Sequence, residues 1–347
     1  MKVKIEKYLC YLRCPICKDK LRLKDKSRLI CLKNHSFPIK SGIVRLLTPE
    51  YFKKSQSETM RSFSYKWTRK PSGKYGFDDT TNDFQRKWYL ERYGWNKDAF
   101  DSFIRKKDFI LDAGCGTGWA AGWFAKKNPQ SVIFAIDISR SVEVAKRNLK
   151  NTDNVILLQA DIDHLPFPNN FFDFISCDQV IHHTPRPQYS FEQLIKHLKK
   201  DGVLATYVYK IKALLREMAD NLIREKTTKM RPEDCYKFAR SVTLLGKSLS
   251  KIKEKLDVQE SIPFLNIKKG KYDVQRFIYW YFLKCFWNEK WGLDKSIITN
   301  FDWYHPKDAY RYSPNEIRQW IKKMRLKTEH FYEGDSGISI KVKKIDF

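Results

Sequence analysis

The chain has 347 residues, a formal net charge of +27, and 42% hydrophobic and 15% aromatic residues. A chain of this length and apolar content holds one large domain with additions, or two domains around packed cores. No uncharged apolar run approaches the ~20 residues that span a bilayer. The opening MKVKIEKYLCYLRCPIC lacks a signal-peptide core. The expected location is therefore cytoplasmic, where the eight cysteines read as thiols or metal ligands before disulfides.

Residues 1–48 read as short strands around paired cysteines. Cys14-Pro-Ile-Cys17 followed by Cys31 and His35 gives C-x2-C-x13-C-x3-H. Such a knuckle presents two thiolates to one tetrahedral zinc, and the second pair arrives from the far end of a hairpin. A segment this short can hardly fold around its own core, so a metal staple is the natural reading, with buried free thiols as the alternative. Cys10 does not fit the spacing, and Cys115, Cys177, Cys235 and Cys285 read as ordinary thiols. Residues 49–106 form a linker and an N-terminal helical segment, with a turn at Pro71-Ser-Gly73 and a single helix expected from Asp83 to Arg105.

From Asp108 the pattern becomes alternating strand and helix. Strands are expected at Phe109–Ala113, Ser131–Ile136, Asn154–Gln159, Phe172–Cys177 and Val203–Tyr209. Helices are expected at Thr117–Lys127, Ser141–Leu149 and Ser190–Lys199. Alternation of this kind indicates an α/β fold with a parallel sheet and right-handed crossovers, here over residues 107–209. Residues 210–300 break the alternation and read as a mostly helical aromatic insert. Residues 301–347 return to a helix at Ser313–Met324, with Ser313 and Glu316 placed as a capping box, and two closing strands.

Ile110-Leu-Asp-Ala-Gly-Cys-Gly-Thr-Gly118 sets three glycines at alternate positions between a buried strand and a helix. Glycine is needed there for a tight turn and for close approach of a ligand to backbone. Asp137 ends the second strand, where a carboxylate can bind two ribose hydroxyls. Asp161 follows the third, where it can accept from an adenine amine while Ile162 covers the ring. The fourth strand ends in Cys177-Asp-Gln-Val-Ile-His-His-Thr-Pro185, beside the crevice at the strands' carboxyl ends.

On these residues the sequence resembles the class I S-adenosylmethionine methyltransferases. The stretch LDAGCGTG … AIDIS … ADIDHLPFPNNFFDFI … HH matches them in order and spacing over about a hundred residues. The resemblance implies a Rossmann-like seven-stranded sheet with a helical insert. It also implies S-adenosyl-L-methionine held by Asp112, Gly114, Gly116, Gly118, Asp137, Ile138, Asp161, Ile162, Asp178 and Gln179. His182 and His183 leave the fourth strand where the methyl group is expected, and are the candidate base or substrate contacts, or else loop-packing histidines. The cysteine module, with Asn34-His-Ser-Phe37 behind it, resembles the zinc ribbon of the bacterial rRNA guanine-N1 methyltransferases. The segments Ser62-Phe-Ser-Tyr-Lys-Trp67 and Phe301-Asp-Trp-Tyr-His-Pro306 instead resemble type 11 methyltransferases acting on small molecules or glycan precursors.

Lys and Arg outnumber Asp and Glu by 19 to 5 in residues 1–70 and by 20 to 11 in 210–300, whereas 107–209 balances at 11 each. The surplus points to an anionic partner or simply to a solvated, highly charged exterior. The leading expectation is methylation of a small molecule or a lipid- or sugar-linked precursor. An RNA methyltransferase gripping RNA through the basic ribbon, and a non-catalytic cofactor-binding scaffold, are the alternatives. Peripheral membrane contact through the aromatic, lysine-flanked insert also stays open.

Overall fold

The computed structural model describes residues 4–49, 54–69 and 79–345; the turn expected at Pro71–Gly73 lies outside them. The first segment forms a 3-10 helix and four short strands, β1 (Leu21–Asp25), β2 (Arg28–Cys31), β3 (Ser36–Lys40) and β4 (Ile43–Leu46). Helices α1 (Lys54–Thr68), α2 (Asp79–Arg92) and α3 (Lys97–Ile104) follow. The single helix expected over Asp83–Arg105 is thus two. Gly94 takes φ +65°, a left-handed residue that ends a helix, and the Asn96 side chain accepts the Ala99 N–H to start the next.

The alternating core comprises β5 (Phe109–Ala113), α4 (Trp119–Lys127), β6 (Val132–Asp137), α5 (Ser141–Asn148), β7 (Val155–Ala160), β8 (Phe172–Cys177), α6 (Pro187–His197) and β9 (Leu198–Lys210). The insert contains α7 (Leu214–Thr227), α8 (Pro232–Leu249), β10 (Lys255–Val258), β11 (Gly270–Asp273), α9 (Val274–Tyr281) and α10 (Gly292–Tyr304). The insert is mostly helical as expected, with two added features. Strands β10 and β11 pair as an antiparallel hairpin, and α10 runs on past residue 300. The chain closes with β12 (Arg311–Tyr312), α11 (Pro314–Lys323), β13 (Lys327–Glu333) and β14 (Gly337–Lys343). The expected capping box at Ser313 and Glu316 is formed.

The main sheet runs β1-β2-β3-β4-β7-β6-β5-β8-β9-β14-β13, with β12 beside β9. Strands β4 through β9 pair in parallel along this path, and β14 turns antiparallel against β9. The order from β7 to β13 is that of a Rossmann-like sheet whose path reverses between β5 and β8. Successive residues of a strand face opposite layers. Ile110, Ile133 and Ala135 therefore pack with Tyr89, Phe100 and Phe124 on one side, while Leu111, Phe134 and Ile136 pack with Phe191, Trp320 and the ribbon's Leu12, Leu29 and Phe37 on the other.

The ribbon is welded to the core rather than tethered to it. β4 pairs with β7, Val44 opposite Leu158, which covers an edge that β7 would otherwise expose. Arg13 N–H donates to the Pro166 carbonyl at 2.9 Å and Lys18 Nζ to the Leu165 carbonyl at 3.2 Å, fixing the cysteine knuckle to the Leu165-Pro-Phe-Pro loop. The insert has its own aromatic core, with Tyr236, Tyr279, Phe301, Trp303 and Tyr304 buried together. No described helix is long and apolar enough to cross a membrane.

Candidate active site

A crevice opens where the strand path reverses, at the carboxyl ends of β5 to β8, the position at which α/β sheets place ligands. β5 feeds into the glycine turn, where Gly114 and Gly116 have φ +80° and +52°. A Cβ on Gly114 would lie 2.4 Å from a Val180 methyl, so the turn passes beneath the β8 loop only because that atom is missing. The Gly116 N–H donates to Asp137 Oδ2 at 2.9 Å, and Ser139 N–H donates to Oδ1 at 2.8 Å. The carboxylate ending β6 is thereby oriented by backbone alone. Asp161 accepts the Asp163 N–H at 3.0 Å, capping the short 3-10 helix Ile162–His164. Both carboxylates line one crevice, together with Ile138 and Ile162.

Asp112 sits below them, 4% exposed, and accepts the Ala121 N–H at 3.0 Å near the start of α4. Burial, with Asp178 and Asp137 adding repulsion, raises its pKa to about 7. Asp178 and Gln179 line the same space, Gln179 in a left-handed conformation at φ +60°. The Asp178 carboxylate is already engaged. It pairs with Arg92 at 2.5 Å and accepts from Tyr93 Oη at 2.8 Å, while the Arg92 guanidinium lies 3.7 Å from the Trp88 ring centroid.

Two residues expected at this site face elsewhere. Gly118 does not line the crevice; its open side packs on Leu149 and Ala145, so its φ of +82° serves the seating of α4 against α5. His182 is fully buried behind the crevice, with its ring 3.8 Å from that of Tyr209 and its Nδ1 3.3 Å from the Tyr207 carbonyl. His183 does front the crevice. Its Nδ1–H donates to the Asp308 carbonyl at 2.7 Å, leaving Nε2 as the acceptor. Burial lowers its pKa to about 4, so the ring is neutral at physiological pH.

The roof comes from segments outside the alternating core. Phe63, Lys66 and Trp67 of α1 and Gln85 of α2 line the crevice, and the Trp67 ring would stand 3.6 Å from a Cβ on Gly116. Helix α1 is clamped to the end of the insert. Ser62 Oγ donates to His305 Nδ1 at 2.6 Å, Thr59 Oγ1 to Asp308 Oδ2 at 2.9 Å, and Lys66 pairs with Asp302 at 2.9 Å. Ser62–Trp67 and Phe301–Pro306, separate in sequence, thus meet over the crevice. Nothing local announces that meeting, nor the Arg92–Asp178 pair, whose partners are 86 positions apart.

A second cavity adjoins the first through Lys66, Trp67, Gln85, Gln179 and Asp302, which line both. Its walls are aromatic, with Trp88, Tyr207, Tyr279, Trp280, Phe286 and Trp291 among them. The Gln85 amide oxygen, at the junction, is buried with no hydrogen-bond partner among the described residues.

At the ribbon, Cys14, Cys17, Cys31 and His35 converge, with their four ligand atoms within 4.8 Å of one another. His35 Nδ1 lies 3.5 Å from Cys14 Sγ and 3.3 Å from Cys31 Sγ, and Cys17 and Cys31 sulfurs are 3.6 Å apart. A tetrahedral zinc with bonds of about 2.3 Å to sulfur and 2.0 Å to nitrogen has ligand edges of roughly 3.5–3.8 Å. The donor set fits that ion.

Fold and crevice together define an α/β protein with a carboxylate-lined pocket at the reversal of its sheet. Residues 111–206 match the family model described as a methyltransferase domain. Over 99 residues it is 35% identical to a malonyl-[acyl-carrier protein] O-methyltransferase of Halalkalibacterium halodurans, covering 27% of this chain and 36% of that one. Over 113 residues it is 29% identical to a demethylmenaquinone methyltransferase of Staphylococcus aureus, covering 32% of this chain and 47% of that one. The chain spans between a quarter and a half of the length of the first curated relatives it matches. Among solved structures, a SAM dependent methyltransferase from Aquifex aeolicus superposes over 78% of this chain and all of that one, at TM-score 0.40 and 15% identity.

Proposed function

We propose that the protein transfers methyl groups from S-adenosylmethionine to a small-molecule acceptor. The observation carrying this reading is the convergence of Asp137 and Asp161 on one crevice with the glycine turn at its base. Two carboxylates at the ends of neighbouring strands suit a ribose diol and an adenine amine, and the turn lets backbone approach the ligand without a Cβ between. The orphaned Gln85 oxygen adds an unspent acceptor where the two cavities join.

When bound, S-adenosylmethionine supplies an electrophilic methyl group on a sulfonium. Asp137 with Ile138 would hold the ribose, Asp161 with Ile162 the adenine, and Asp112, Gly114 and Gly116 the methionine portion, beside Asp178 and Gln179. Trp67, over the Gly116 turn, would shield the bound cofactor from water. His183 presents a neutral Nε2 that can accept a hydrogen bond from an acceptor O–H or N–H and so aim its lone pair. The names of the matched relatives, which act on an acyl-carrier-bound malonyl group and on a menaquinone precursor, support a small or carrier-linked acceptor. The cysteine–histidine cluster we assign to a structural zinc that holds the ribbon, and through it the β7 edge.

Calorimetric titration with S-adenosylmethionine and S-adenosylhomocysteine tests the cofactor reading; absence of binding would overturn the methyltransferase proposal. Transfer of labelled methyl groups into fractionated extract tests the acceptor. Label in the small-molecule fraction supports the proposal, and label lost on nuclease treatment moves it to RNA.

A further inference from the structure

We infer that the aromatic cavity is the acceptor site and that it takes a flat, unsaturated molecule bearing a carboxylate or phosphate; this rests on the methyltransferase reading. The flatness follows from the walls. Trp88, Tyr207, Tyr279, Trp280, Phe286 and Trp291 offer ring faces and edges, the surface that an unsaturated ring packs against most favourably.

The anion follows from unbalanced buried charge. Lys284 lines the cavity and is only 7% exposed, and among the described residues its one hydrogen bond runs to Tyr279 Oη at 3.3 Å. An ammonium has three donors, so two are unspent. Its other neighbours are ring faces, the Trp303 centroid at 4.8 Å and the Tyr279 centroid at 5.3 Å. Such contacts ease a buried cation without neutralising it. Lys284 forms no ion pair with a described residue, and three acids of this region pair with other cations. Asp220 pairs with Arg216 at 2.6 Å, Glu217 with Arg311 at 2.7 Å and Asp302 with Lys66 at 2.9 Å. Lys212, buried close by, donates to the Asp335 and Ser336 carbonyls and lies 5.6 Å from the Trp280 ring centroid, with no ion pair among the described residues.

Arg276 enters the same cavity on α9, its guanidinium 5.6 Å from the Tyr279 centroid, also with no ion pair among the described residues. Uncompensated buried charge is costly, and an anionic ligand group between Lys284 and Arg276 supplies the missing partner through charge-assisted hydrogen bonds. The opposite end of such a ligand then reaches the junction at Gln85 and Gln179, where the two cavities join.

The test uses the full chain saturated with S-adenosylhomocysteine and titrated with 4-hydroxybenzoate, phenyl phosphate and neutral phenol, read by calorimetry and tryptophan quenching. At least one anionic probe should bind about tenfold or more tightly than phenol, and the ranking of the two anions tells carboxylate from phosphate. Lys284→Met should bring the preference within about twofold while binding of S-adenosylhomocysteine is unchanged. Should Lys284→Met fail to fold, Arg276→Met, at a half-buried position, must weaken the same preference. Equal binding of phenol and the anions, no binding of either anion, or a preference surviving both substitutions overturns the inference. Because the cofactor product is titrated separately, failure to bind it counts against the methyltransferase reading alone, and the anion preference is still measured in its absence.

Discussion

The two cavities that meet at Gln179 are built by opposite means. In the strand-end crevice, backbone does the positioning: Gly116 and Ser139 N–H groups aim Asp137, the Asp163 N–H aims Asp161, and the Ala121 N–H aims Asp112. In the aromatic cavity, side chains from α1, α2, β9, α9 and α10 form the walls, and no one element shapes it. A site held by sheet backbone is rigid and changes little with its neighbours. One assembled from side chains of an insert can be recut by substitution, which suits a fixed cofactor and a variable acceptor.

The largest expected effect lies outside both cavities. On the proposed zinc assignment, binding energy on the order of 10 kcal/mol is coupled to folding of the ribbon. Chelation or Cys31→Ser should therefore release the ribbon, uncover β7 and lower the melting temperature by roughly 10 °C. Full retention of the melting point after metal is shown to be gone removes the ribbon from the account of crevice rigidity.

Next comes Gly114→Ala. Its Cβ would meet Val180 at 2.4 Å from a residue at φ +80°, so a stability loss of about 1–3 kcal/mol is expected together with collapse of cofactor affinity. Asp137→Ala removes a charged acceptor from the crevice and should weaken cofactor binding by about 10- to 100-fold without changing the melting curve of the free protein by more than a few degrees. Calorimetry and thermal unfolding read both variants.

A pH series is subtler. With the Asp112 carboxyl raised to about 7 in the free protein, a cationic ligand must first find it ionised. Affinity for S-adenosylmethionine should climb about tenfold between pH 6 and 8, and Asp112→Asn should flatten that slope. The sign for stability is the reverse. The folded pKa exceeds the unfolded value of 3.8, so the contribution is full below that value and lost as pH rises through about 7. The smallest effect sharpens the contrast: Trp291→Ala, a wall of the aromatic cavity alone, should alter cofactor affinity by less than about twofold.

What the sequence by itself determined about this protein is whatever depends on neighbours along the chain. The glycine turn, the Ser313 capping box, the strand–helix alternation and the spacing of Cys14, Cys17, Cys31 and His35 are legible because torsion preference, capping and hydrophobic period act over a few residues. The break at Gly94 was equally local, and was masked by a helical pattern continuing on both sides. Only the tertiary structure decided that Trp67 roofs Gly116, that His305 and Asp308 clamp α1, that His183 rather than His182 faces the crevice, and that Lys284 is buried with no ion pair among the described residues. Each of these depends on which surfaces remain to be covered once the sheet has formed, and burial, unlike backbone conformation, belongs to no single stretch of chain.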